Sequence, residues 1–252
     1  MKNIAYQTDQ LALYFSQNRV TWAQFYDSER LVIERLGLGP RHRILDIGCG
    51  CGGLGLALRE RFDVREYTGV EINRQAAEAA RRLNPQAHIL CGDMLDLSAS
   101  ELRGAFFDAV FSLSCVDWNV AFSETLAAAW KHVAPGGHLV STFRLTAEDG
   151  CNDIERSYQY INVEGKMEGE RASYVVLNVG DLMNELRGFD PLAVHAYGYW
   201  GEPSRTAVTP YKKLCFAAFS VRKRRPGEVG RTSHRLDLPA EILNAAGVPA
   251  VH

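Results

Sequence analysis

The apolar positions of the chain switch between two spacings, and the switches mark its elements. Trp22, Phe25, Ile33 and Leu36 recur at helical spacing behind Thr21 and Gln24, which resemble a capping box, and Gly37 and Pro40 close that stretch. From there apolar runs alternate with helical stretches: strands over 43–47, 67–71, 87–91, 107–113 and 138–144, helices over 54–61, 74–83 and 121–133. Asn84 and Pro85 break the second of these helices, and Pro135, Gly136 and Gly137 read as the turn before the fifth strand. Strands joined by helical crossovers predict a parallel sheet wound on both faces.

The pattern then loosens. A polar stretch over 146–171 precedes a short helix over 181–187, and two β-rich runs follow at 192–200 and 214–221 with only a loop between them. A connection without a helix implies an antiparallel pair closing the sheet. The expected fold is α/β: a doubly wound, seven-stranded, mostly parallel sheet with an antiparallel last strand and N-terminal helices before the first strand. Residues 1–222 read as one domain, with a helical cap over 1–40 and an insertion or lid over 145–180. A tail over 223–252 is richer in Pro, Gly and charge, apart from a short helix over 239–246 ended by Gly247.

Composition narrows the classes. At 252 residues, 46% hydrophobic and 23% charged, the chain is long enough to bury one substantial core and too apolar for disorder outside the tail. A formal charge of -2 gives no overall field for nucleic acid, and the basic run of Arg222, Lys223, Arg224 and Arg225 reads as a solvated strand exit. No nucleic-acid partner and no membrane are expected: residues 1–10 lack a signal-peptide core, and no stretch approaches the ~18 apolar residues of a span, so the expected location is cytoplasmic. None of the six cysteines forms a Cys-x-x-Cys pair, which argues against a metal site or a disulfide framework.

The chemistry concentrates in one segment. Ile44, Leu45, Asp46 and Ile47 run into Gly48, Cys49, Gly50, Cys51, Gly52 and Gly53, an apolar strand entering a glycine-rich turn that opens a helix. Glycine there admits strained backbone and close approach of a ligand, and alone the pattern also satisfies a dinucleotide loop. Asp46, two residues before the first glycine, suits a cationic ligand better than phosphates. Glu71 ends the next strand about 20 residues on, placed to accept from both hydroxyls of an adenosine ribose. Asp93 and Met94 follow the third strand, where a carboxylate can accept from the adenine amine while the thioether packs on the ring.

In the order L-D-I-G-C-G-C-G, G-V-E-I, C-G-D-M, F-D-A-V-F-S-L and H-V-A-P-G-G, residues 43–144 resemble the class I SAM-dependent (S-adenosylmethionine-dependent) methyltransferase family. The resemblance implies SAM as methyl donor, S-adenosylhomocysteine as product, and the last two strands antiparallel at one edge of the sheet. It places Asp46, Gly48 and Gly50 around the methionyl and ribose portion, Glu71 with Ile72 at the ribose, Asp93 with Met94 at the adenine, and Ser112 with Leu113 on the floor. Cys49 and Cys51 depart from the family pattern and read as compact loop fillers.

The sulfonium makes the methyl intrinsically electrophilic, so positioning dominates: well-oriented approach supplies roughly 7 to 11 kcal/mol, a general base about 10²- to 10⁴-fold in rate. The expected reaction is in-line transfer to an O or N atom of a small-molecule acceptor. Asp117 is the candidate catalytic carboxylate, with capping of the following helix by Asp117 or Asn119 as its alternative. Trp118, Arg144, Tyr158 and Tyr160 are candidate substrate contacts, with Tyr14, Trp22 and Tyr26 as possible walls from the cap and His195 as a late-strand outsider. No Asn-Pro-Pro-Tyr or Asp-Pro-Pro-Tyr follows the fourth strand, which argues against base-amine methylation. Two alternatives stay open: an NAD(P)-dependent oxidoreductase on the same loop, and a non-catalytic SAM-binding subunit.

Overall fold

The computed structural model describes residues 10–98, 100–102 and 106–247. The readings made on residues 1–9 and 248–252 lie outside these, as does the side chain of Tyr14. The chain runs α1 (Gln10–Gln17), α2 (Asp27–Glu34), β1 (Arg43–Ile47), α3 (Gly53–Phe62), β2 (Glu66–Glu71), α4 (Arg74–Leu83), β3 (His88–Cys91), β4 (Phe107–Ser112), α5 (Phe122–His132) and β5 (Val133–Thr146). It continues with β6 (Tyr158–Tyr160), β7 (Arg171–Ser173), β8 (Leu177–Asn178), α6 (Val179–Gly188), β9 (Ala193–Gly201), β10 (Ala207–Val208), β11 (Leu214–Arg222), β12 (Ser233–Asp237) and α7 (Ala240–Ala245).

Alternation along the strands builds three layers. Leu45, Val110 and Leu139 point to one face, where they meet Leu126 and Ala129 of α5, Leu182, Met183 and Leu186 of α6 and Ile242 of α7. Their neighbours Ile44, Ala109, Phe111 and Val140 point to the other, against Val32 and Ile33 of α2, Leu54, Ala57 and Leu58 of α3 and Ala77 and Ala80 of α4. Helices on both faces of a mostly parallel sheet are the doubly wound arrangement expected. Local signals set the helix ends: Asn73 Oδ1 accepts from the Ala76 amide at 2.9 Å to start α4, and Asn178 Oδ1 from the Asp181 amide at 3.1 Å to start α6.

The sheet is wider than seven strands. Its order is β12-β9-β11-β5-β4-β1-β2-β3, with β8 also pairing β5, so nine strands share it. β11 runs antiparallel to both β5 and β9, and it lies inside the sheet rather than at an edge. The edge is β12, from the tail, which pairs parallel with β9 from Ser233↔Ala193 to Asp237↔Tyr197. Pro135, Gly136 and Gly137 lie within β5 rather than in a separate turn. There the pairing with β4 shifts between Phe107 and Ala109, and Gly136 takes φ +83°. The stretch over 146–171 is not structureless either: β6 pairs antiparallel with β7 and with β10 in a small second sheet. Of the basic run, Lys223 Nζ donates to the Trp130 and Val133 carbonyls at 3.0 and 2.9 Å, placing its charge where α5 ends.

Candidate functional site

The glycine turn sits at the carboxyl end of β1, where a doubly wound sheet places its ligands. Gly48, Gly50 and Gly52 take φ of +71°, +54° and +75°, a left-handed region that side chains rarely adopt. A Cβ on Gly48 would stand 2.5 Å from Cys115 Sγ, so the turn packs directly on the segment following β4. Glu71, at the end of β2, pins the turn from the other side: its Oε2 accepts from the Gly50 amide and its Oε1 from the Asn73 amide, both at 2.8 Å. Each carboxylate oxygen has lone pairs to spare, so these bonds leave room for ribose hydroxyls. Burial pushes the Glu71 carboxyl up, and the backbone amides of Asn73, Gly50 and Ile72 oppose that shift.

Asp46 is buried at the base of the same cleft and accepts from Tyr67 Oη at 2.5 Å. Burial raises its carboxyl to about 7, against the Tyr67 hydrogen bond and the charge of Arg19. A buried carboxyl held near neutrality is matched by a cation, as the sulfonium and ammonium of SAM would be, and not by a diphosphate. The sign follows from linkage. A carboxyl raised in the folded state contributes stability that is fully present below the ordinary Asp value near 3.8 and lost as pH rises through about 7. A bound cation restores the ionised form, so SAM affinity should fall by about tenfold per pH unit below 7 with proton release on binding. Calorimetry in buffers of differing ionisation enthalpy checks this, and pH-independent affinity between 5.5 and 8 on the order of those units would refute the assignment.

A cavity of ≈ 140 Å³ gathers Asp46, Gly48, Gly50, Glu71, Ile72 and Leu113 from the expected set. Asp93, Met94 and Ser112 are not on its wall. Asp93 Oδ1 instead accepts from the Leu95 amide at 3.0 Å in the turn after β3, Met94 is buried in the core, and the Ser112 carbonyl receives Ser141 Oγ within the sheet. Cys49 and Cys51 do fill the loop: burial pushes both thiols up, Cys51 to about 11, and Cys51 Sγ donates to the Ala12 carbonyl. Neither is a thiolate nucleophile.

Beside this cleft lies a second cavity of ≈ 660 Å³ that shares Phe15, Arg19, Ser114 and Trp118 with it. Asp117 and Arg144, proposed separately from sequence, meet here as a buried pair: Arg144 Nη2 lies 3.3 Å from Asp117 Oδ2, and Nη1 donates to the Asp117 carbonyl at 2.6 Å. The guanidinium stacks 3.8 Å from the Tyr174 ring centroid and 5.6 Å from that of Trp118. Helix α5 has Ala121 at its N-cap, and Asn119 Nδ2 donates to the Cys115 carbonyl, so neither candidate caps that helix. Tyr160 and Tyr26 line the second cavity, whereas Tyr158 is outside it under Arg171, and His195 on β9 is in neither wall. Trp22, partly buried, packs on Phe62 and Phe25 at the edge of the core.

Tyr26 lines the wall as the sequence suggested, whereas Phe15 and Arg19, which complete the walls from the same side, carry no periodic signal. Arg19 takes φ +63° and reaches Glu29, a fully buried carboxylate, at 2.8 Å, with the Phe25 ring centroid 4.6 Å from its guanidinium. The cap docks so closely that a Cβ on Gly53 would lie 2.0 Å from the Arg19 carbonyl oxygen. Gly53→Ala should therefore displace the cap and cost about 1–3 kcal/mol in urea unfolding, with faster proteolysis before α2; wild-type stability and cleavage would contradict this docking.

Residues 44–137 match the family model described as a methyltransferase domain. Malonyl-[acyl-carrier protein] O-methyltransferase of Enterobacter lignolyticus is 28% identical over 120 residues, covering 48% of this chain and 45% of that protein. Ribosomal RNA small subunit methyltransferase C of Pseudomonas fluorescens is 29% identical over 113 residues, 43% of this chain and 34% of its own. The chain thus spans less than half the length of these curated relatives, and their names differ in acceptor. A SAM-dependent methyltransferase structure from Methanosarcina mazei shares the fold, with TM-score 0.57 and 18% identity over 80% of this chain and 99% of that one. Among the described residues no helix is long and apolar enough to cross a membrane, and no cluster of three or more His, Cys, Asp or Glu is placed to hold a metal. Residues 44–137 thus match a methyltransferase domain, and the fold around them is shared with a SAM-dependent methyltransferase structure.

Proposed function

We propose that this protein transfers a methyl group from SAM to an oxygen or nitrogen atom of a small-molecule acceptor. The observation that carries the reading is the pair of adjoining cavities with a common wall of Phe15, Arg19, Ser114 and Trp118. Bound in the first, SAM supplies an electrophilic methyl. Asp46 and Glu71 hold its cationic and ribose portions, the glycine turn admits it without a Cβ in the way, and the cap excludes water. The second cavity seats the acceptor across the shared wall, where orientation supplies the larger part of the rate. Ser114 at that wall has φ +49°, a strained conformation of the kind kept where a ligand is positioned, with its amide held by Thr142 Oγ1 at 2.6 Å.

A volume of ≈ 660 Å³ lies within the ~300–1,000 Å³ of small-molecule sites, and its walls come from the cap, the small sheet and the strands β9 and β11. A concave site of that size favours a free small molecule over a folded nucleic acid. An open acceptor cavity also favours catalysis over a purely cofactor-binding role. Incubation of the protein with methyl-labelled SAM and a fractionated cell extract tests the reading. Label is expected in the fraction below ~1 kDa, within the scale of such sites; label in RNA or protein alone would contradict it.

A further inference from the structure

The Asp46 carboxyl lines the first cavity, and Tyr67 on β2 takes one of its oxygens from outside that cavity. The parallel register sets Tyr67 beside Ile44 and Gly69 beside Asp46, so the ring starts two positions back and its hydroxyl reaches forward to Asp46 Oδ2 at 2.5 Å. Tyr67 is buried and lines neither cavity, which closes this bond to solvent from its own side. Helix α3 makes room for the ring. A Cβ on Gly55 would stand 2.9 Å from Tyr67 Cε1 and 2.7 Å from Asn84 Nδ2, so a side chain there would displace the tyrosine. Glycine within a helix is unfavourable, and here it lets the ring seat against the helix backbone.

A carboxylate that meets a cation gains from being held beforehand in one orientation by a supporting hydrogen bond. Facing Asp46 are Tyr67 and Glu71 from β2, Arg19 from the cap, Glu29 from α2 and Cys49 in the glycine turn. Burial, Glu71 and Glu29 disfavour its ionised form, whereas Tyr67 and, to a lesser degree, Arg19 favour it. Arg19 acts on it through charge alone, so Tyr67 is the donor that fixes the carboxyl's direction. Burial, Asp46 and Cys49 push the Tyr67 hydroxyl well above its ordinary range, so it keeps its proton and remains the donor.

We propose that Tyr67 is a positioning residue of the cofactor site, which holds the Asp46 carboxylate for the cationic portion of SAM and extends SAM binding to lower pH. The proposal rests on the reading of the first cavity as the SAM site. Tyr67 acts through Asp46 and touches no ligand itself. Without its hydroxyl, the folded-state titration of Asp46, about 7 with the hydroxyl in place, moves further up. SAM then meets the ionised carboxylate in a smaller fraction of molecules, and the deficit grows as pH falls. A ligand without a cation has no use for the ionised form and is indifferent to the change.

The test is calorimetry of wild type and Tyr67→Phe, which keeps the ring and loses the hydroxyl. The ligands are SAM and methylthioadenosine, which keeps the adenosine and lacks both cationic groups. Loss of a hydrogen bond to a charged group changes an equilibrium by about 10- to 150-fold, and at the lower end it moves the Asp46 midpoint up by about one pH unit. The variant should then bind SAM about tenfold more weakly than wild type near pH 6 and only about twofold more weakly near pH 8. Titration of SAM itself cancels in this ratio. Methylthioadenosine should bind both proteins equally. Should Tyr67→Phe fold poorly, a ring-fluorinated tyrosine in place of Tyr67, a stronger donor on the same ring, should shift the fall in SAM affinity to lower pH instead. SAM losses equal at both pH values, equal losses for both ligands, or an unmoved profile would overturn the proposal; wild-type protein that binds no SAM would instead sink the parent reading.

Discussion

Replacing Arg144 by alanine should destabilise the protein by about 3–5 kcal/mol, because it leaves the Asp117 carboxylate buried without its counter-ion. The pair is enclosed, with Arg144 5% and Asp117 6% exposed, so solvent cannot take over from the guanidinium. The deficit should depend on pH in a definite direction. Burial already raises the Asp117 carboxyl, and Arg144 is the largest opposing influence. Without it the folded-state value rises further. A raised carboxyl contributes stability that is fully present below the ordinary carboxylate range and lost as pH rises through the folded value. The variant should therefore lie closest to wild type near pH 5, on the order of one unit above the ordinary Asp value, and fall furthest behind near pH 8. Urea unfolding at both values checks this, and a pH-independent deficit would mean that lost packing on Tyr174 and Trp118 is the cause.

Glu71→Ala should weaken SAM binding by roughly 1.5 to 3 kcal/mol for the loss of hydrogen bonds to a charged group, or about 10- to 150-fold in Kd. The structure adds a reason for the upper end of that range. The carboxylate fixes the glycine turn through the Gly50 amide and the start of the next segment through the Asn73 amide, so its removal loosens the cradle besides ending the proposed ribose contact. Glu71→Gln separates the two effects, since an amide oxygen can still accept from one backbone N–H. Intermediate affinity is expected for it; affinity equal to wild type in both variants would remove Glu71 from the site.

The parts of this arrangement that follow from short-range pattern were legible in the sequence. The β1 strand, the glycine turn, Asp46 and Glu71 belong to consecutive βαβ units, whose periods of 2 and 3.6 place each carboxylate at a strand end by themselves. Other features depend on distant packing. Asp117 and Arg144 were each readable as site residues, but their pairing across 27 positions follows from the β4–β5 register and the turn after β4. Arg19 and Glu29 meet because Arg19 takes a left-handed conformation and the cap seats on Gly53, neither of which leaves a period in the sequence. The strands β6, β7 and β10 have three, three and two residues, too short to show alternation, which is why the stretch over 146–171 reads as loop. The tail's edge strand β12 alternates exposed and half-buried positions, with no apolar run to announce it.

The central claim is that the cleft under the glycine turn binds an adenosyl sulfonium, with Asp46 and Glu71 as its carboxylates. Calorimetric titration of ligand-stripped protein with SAM, S-adenosylhomocysteine and NAD tests it most directly. Micromolar binding of both adenosyl compounds, with no heat from NAD, is the result predicted by this account. Binding of NAD alone would contradict it and make the same turn a dinucleotide site.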